Sequence, residues 1–106
     1  MHKGHFAYGT AVGTGAAMNF AIGFQPDWVE IFNLTSRDEL KWQTGMTAAH
    51  GFKRVAAGTG TAITSGGISL YAGVDGTTAV GFTLGTDADM NVVAEVLYWK
   101  AGTNDA

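Results

Sequence analysis

Apolar and polar residues alternate in short runs along the chain, and glycine-rich turns separate the runs. Phe6, Tyr8, Thr10 and Val12 alternate with small residues until Gly13-Thr14-Gly15 breaks the pattern. Met18, Phe20 and Ile22 alternate with Ala17, Asn19 and Ala21, the period of a half-buried strand. Pro26, the only proline, marks a corner within Gly23–Asp27. Trp28–Leu34 is apolar on both faces except at Glu30 and Asn33, which predicts a central strand. Ser36-Arg37-Asp38-Glu39 fits a helix capping box. Leu40 and Trp42, however, alternate with Glu39, Lys41 and Gln43, so the preferred reading is a turn followed by a strand. Met46–Ala57 leaves two alternatives: one helical turn, or a loop with a short strand around Phe52–Val55. Gly58–Thr61 and Ser65–Gly67 read as loops.

The next pair of runs permits a register argument. Ile68, Leu70, Ala72 and Val74 face Val80, Phe82 and Leu84 across Asp75-Gly76, a hairpin signal. A two-residue loop would put the two apolar rows on opposite faces. A three-residue loop, Val74–Gly76, pairs Leu70 with Val80 and Ile68 with Phe82, and both rows then share a face. A one-residue slip flips every side chain, so the three-residue loop is predicted, with Gly76 in the left-handed position. The last strand is expected over Val92–Trp99, with Val93, Glu95, Leu97 and Trp99 on one face and Val92, Ala94, Val96 and Tyr98 on the other. The fold class that follows is all-β: a small antiparallel β-sandwich or barrel of about eight strands with at most one short helical turn. The expected organisation is an N-terminal arm at 1–5, one β domain at 6–101 and a C-terminal tail at 102–106.

Composition narrows the function classes. The chain has 106 residues, one domain's worth, of which 14% are charged, well below the usual ~25%. The absence of cysteine excludes a disulfide scaffold and a thiolate zinc site. A net charge of −3 with six basic residues argues against a nucleic-acid partner. No apolar run approaches the ~18 residues of a membrane span, and Met-His-Lys-Gly-His leads into no signal-peptide core. A charge-poor surface does little to keep copies of a protein apart.

No motif carries chemistry. His2 and His5 are two potential ligands without a third, and a solvated arm is the plainer account. His50 has no nucleophile or orienting acid near it in sequence. Asp87-Ala88-Asp89-Met90-Asn91 begins like a calcium loop, but Val92 stands where glycine is required and Tyr98 where glutamate is required. A polar turn is preferred there. Gly13-Thr14-Gly15 fails the dinucleotide fingerprint, and Asn33-Leu34-Thr35 is a chance sequon. No catalytic residue, metal ligand or cofactor site is expected, and the chain is read as a non-enzyme.

The aromatic residues are numerous for so small a domain. Because the strands at Trp28 and Val92 are apolar on both faces, some outer faces should be covered by another subunit. The interface candidates are Met1, His2, His5, Trp28, Phe32, Trp42, Tyr71, Tyr98 and Trp99.

Several segments carry a family resemblance: Gly23-Phe24-Gln25-Pro26-Asp27-Trp28-Val29, Asn33-Leu34-Thr35, Leu40–Met46, Thr64–Ile68, Gly81–Asp87 and Tyr98-Trp99-Lys100-Ala101. Together, over residues 6–101, they resemble small structural proteins of tailed bacteriophage virions, the head decoration (cement) type first among them. These motifs are turns and strand starts and specify no chemistry. The resemblance implies a capsid decoration protein that stabilises the head shell by binding across capsomers. Its expected partners are the major capsid protein and its own copies, in a homo-oligomer such as a trimer. It would be made in the host cytoplasm and located on the capsid surface. The alternative is a tail-fibre, baseplate or spike module that binds a host-surface glycan.

Overall fold

The computed structural model describes residues 5–104. Among them are eight strands and no helix: β1 Phe6–Val12, β2 Met18–Ala21, β3 Trp28–Asn33, β4 Glu39–Gln43, β5 His50–Arg54, β6 Gly60–Tyr71, β7 Gly81–Leu84 and β8 Val96–Gly102. They form one antiparallel sheet in the order β1-β8-β3-β4-β5-β6-β7-β2, curled into a half-barrel.

The curl originates in β6. Gly60–Ile63 pairs with β5, whereas Ile68–Tyr71 pairs with β7, and the register breaks opposite His50 and Gly51. At the break Gly66 has φ +73°, and a Cβ on Gly67 would collide with the His50 carbonyl. The Gly67 N–H donates to Ala49 O at 2.9 Å, and its carbonyl accepts from Gly85 N at 2.8 Å. One strand thereby turns a corner and serves both halves of the sheet, as corner strands do in packed β folds.

Bending β6 folds β7 and β2 over β3 and β8. The inward residues Val29 and Ile31, Leu40 and Trp42, Leu97, Trp99 and Ala101, Ile68, Phe82 and Leu84, and Phe20 form the core, with Met90 filling it from the β7–β8 connection. Phe20 and Phe82 stack at 4.6 Å, and Trp99 meets each edge-on at 5.6 Å. This aromatic trio joins the two halves of the sheet.

Two buried asparagines hold the loops at one end. Asn91 Oδ1 accepts from the N–H groups of Thr14 and Gly15, and its Nδ2 donates to the carbonyls of Ala16 and Gly85. Asn33 Nδ2 donates to the carbonyls of Asp89 and Met90 and to Glu95 Oε1, while its Oδ1 accepts from Thr35 and Ser36. The sequon asparagine is thus an interior bracket, fully buried.

Three sequence expectations change. The β6–β7 hairpin has a three-residue loop and Gly76 has φ +72°, but the loop is Asp75–Thr77, closed by Val74 and Thr78. Leu70 therefore pairs with Phe82 and Ile68 with Leu84, two residues away from the expected register. A two-residue slip keeps the same face inward, so the side-chain pattern does not distinguish the two registers. The last strand begins at Val96, because Ala94 has φ +68° and turns the chain before it. β8 then runs to Gly102, past the expected domain end, and Asn104 N donates to Asp27 Oδ2 at 2.7 Å. Finally, the expected loop at Gly60–Thr61 opens β6, while in Met46–Ala57 the strand alternative holds, as β5.

Candidate functional site

Cross-strand pairing sets the outward side chains of β1, β8, β3, β4 and β5 in rows. One row runs Tyr8, Lys100, Glu30, Lys41 and Phe52; the next runs Thr10, Tyr98, Phe32, Glu39 and Arg54. At the end of the face Phe6 and Trp28 meet across β8, with ring centroids 5.9 Å apart. They meet because Gly102 lies between them: a Cβ there would sit 2.6 Å from the Trp28 ring.

The face is aromatic and open. Phe6 is 60% exposed, Tyr8 75%, Tyr98 46% and Phe32 37%. A groove of about 590 Å³ crosses it, lined by these residues with Glu30, Glu39, Lys41 and Lys100. A second hollow adjoins it over Trp28, Lys41, Gln43, Met46 and Phe52. The charges are largely matched within the face: Lys100 reaches Glu30 and Arg54 reaches Glu39, each at 3.5 Å, and the Arg54 guanidinium lies 5.7 Å from the Phe52 ring centroid. Exposed pairs of this kind add little stability. Their consequence here is a face with aromatic contact area and little net field.

The structure brings together three of the expected interface residues, Trp28, Phe32 and Tyr98. Trp42, 4% exposed, and Trp99 point inward into the core instead. Tyr71 lies on β6 in the other half of the sheet, its carbonyl accepting from Gln25 Nε2 at 3.4 Å. His5 stacks on Phe24 at 5.1 Å beside the start of β1. Met1 and His2 lie outside the described residues. Phe6 and Tyr8, the most exposed aromatics of the face, were not among the candidates. Their alternation was legible, but not which row faced outward. The inward row of β1 is Ala7, Gly9 and Ala11, because the Trp99 ring already fills the space over Gly9.

The remaining chemical candidates resolve into structure. His50 pairs with Ile68 at the β6 corner, and among the described residues no carboxylate or hydroxyl hydrogen-bonds to its ring. In the Asp87–Asp89 loop the cation is Lys53, whose Nζ lies 3.1 Å from Asp87 Oδ1 and 2.7 Å from Asp89 Oδ2. Asp87 Oδ2 also accepts from the N–H groups of Asp89 and Met90. Burial pulls the Lys53 pKa down, but its hydrogen bonds to Asp89 and Asp87 and their charges outweigh this and hold it above the ordinary 10.5. Nearby, burial pushes Asp38 above its ordinary 3.8. The Ala56 N–H and the Lys53 charge partly offset the rise, and the charges of Asp89 and Asp87 add to it.

No family model matches the chain, and no curated protein or solved structure is significantly similar to it.

Proposed function

We propose that this chain is a non-catalytic structural subunit of a tailed-phage virion, a decoration protein that seats its aromatic face on the head shell. One observation carries the reading: Phe6, Tyr8, Phe32 and Tyr98 stand side by side, exposed, on one face of the sheet. Large aromatics are the side chains that dominate protein interfaces, and a charge-poor surface suits a subunit meant to be covered. The mechanism is mechanical. Each copy adds buried aromatic area across a boundary between major capsid subunits. Most of its charges are already paired within the face, so binding depends weakly on salt.

The test is addition and removal. Particles stripped of the protein rupture at a lower temperature than decorated ones, and adding the purified chain back restores the difference. The variant Phe6→Ser/Tyr8→Ser/Tyr98→Ser keeps the circular dichroism of the fold and does not rebind. Equal rupture temperatures for bare and decorated shells sink the cementing role.

A second reading, a glycan-binding module, is favoured by the groove itself, where Tyr8 and Tyr98 flank the carboxylates of Glu30 and Glu39. Stacking faces beside acceptor oxygens suit a sugar ring. Trp28 borders this face, so quenching of its fluorescence by host-surface sugars, at millimolar concentration or below, marks this alternative.

A further inference from the structure

β1 is an edge strand of unusual character. Among the described residues it pairs only with β8; it extends for seven residues and contains no charge and no proline. Edges of this length are normally blunted by lysine, proline, a bulge or a covering segment, because their free N–H and C=O groups template further pairing. The opposite edge, β2, is blunted by shortness, with four residues.

The hydrogen-bond phase of β1 fixes which groups are free. Thr103 N donates to His5 O at 2.9 Å, and Gly13 N donates to Glu95 O at 2.8 Å. The odd-numbered residues therefore bond to β8, and alternation directs the N–H and C=O of Phe6, Tyr8, Thr10 and Val12 away from it. Among the described residues no hydrogen bond reaches these groups.

We propose that β1 pairs edge to edge with β1 of a second copy, antiparallel about a two-fold axis at Gly9. This register sets Phe6 against Val12 of the partner copy and Tyr8 against Thr10, with every free N–H and C=O used in about eight inter-strand bonds. On the outer face each cross-strand pair joins an aromatic to a β-branched residue, the favoured combination. On the inner face Ala7 meets Ala11 and Gly9 meets Gly9, so nothing bulky obstructs the narrow pair. No like charges oppose each other, because β1 has none. The two sheets become one, and the aromatic faces of both copies join into a single platform. The expected assembly is a dimer, not the trimer that the resemblance suggested. It does not depend on what that platform binds.

Sedimentation equilibrium of the full chain at micromolar concentrations should give twice the 11.0 kDa chain mass. Thr10→Pro removes an N–H that serves only the new edge and should give a monomer with unchanged circular dichroism. The register has its own test. Tyr8→Lys/Thr10→Lys places two like-charge pairs across the axis and should weaken dimerisation roughly 10-fold or more. Tyr8→Lys/Thr10→Glu places opposite charges there and should recover the dimer. If Thr10→Pro fails to fold, these two variants decide. A wild-type monomer overturns the proposal, and so does a dimer that is equally stable in both charge variants. Failure of either kind leaves the particle-binding test of the aromatic face unaffected.

Discussion

At the scale of single residues, identical side-chain types have opposite fates. Trp28 lies on the open face while Trp42 and Trp99 lie inside, and strand parity alone separates them. That parity was readable where both rows differ in polarity, as in Glu39–Gln43. It was hidden in β1, where Phe6 and Tyr8 face solvent because Trp99 had already claimed the inner side. Asn33 and Asn91 were opaque for a different reason. Each has some partners close in sequence, but the ones that tie distant loops lie dozens of positions away, as with Asn91 and the carbonyl of Ala16, so no local pattern marks them as brackets. Asn91→Ala takes the partner from two N–H and two C=O groups at a part-buried junction of loops. The expected cost is about 3 kcal/mol, read as a fall of more than about 10 °C in thermal melting.

At the scale of elements, most strands were visible in the period-two pattern, and the ends were less so. β6 is the instructive case. Its glycines Gly66 and Gly67 read as a loop, yet they are the corner that lets one strand pair on both sides of the fold. The β7–β8 loop is tied to β5 by Lys53 with Asp87 and Asp89, and both Lys53 and Asp87 are nearly buried. Lys53→Met leaves the nearly buried Asp87 without its counter-charge, and urea titration should show a loss of about 3 kcal/mol. The pH dependence has a definite sign. The Lys53 pKa is higher folded than unfolded, so its contribution is complete below pH 10.5 and is lost as pH rises through the folded value. The difference in melting temperature between wild type and Lys53→Met should be constant from neutrality to about pH 10 and shrink above it.

At the scale of the whole molecule, the stack of Phe20, Phe82 and Trp99 couples the two halves of the sheet. Phe82→Ala removes one ring of this mutually touching trio from a fully buried site. The expected cost is about 3–5 kcal/mol, enough to consume much of the stability of a domain this size. Both halves should unfold together in wild type, with coincident fluorescence and circular dichroism transitions. In the variant the two probes should separate, because the trio that couples the halves is broken.

The sequence by itself determined the class of fold, the positions of most strands, the shortage of charge and the lack of a catalytic motif. These follow from composition and from a period of two, which are local properties. Only the tertiary structure decided which row faces the core in strands whose two rows are alike in polarity, such as β1, where β6 bends, and that Lys53 is the cation of the acidic loop. It alone gathered Phe6, Tyr8, Phe32 and Tyr98 from three strands onto one face. The physical reason is that the inside of a sheet is assigned by what the opposite half brings to fill it. In this chain the filler comes from β2 and β7, elements that reach the site only after β6 has turned its corner.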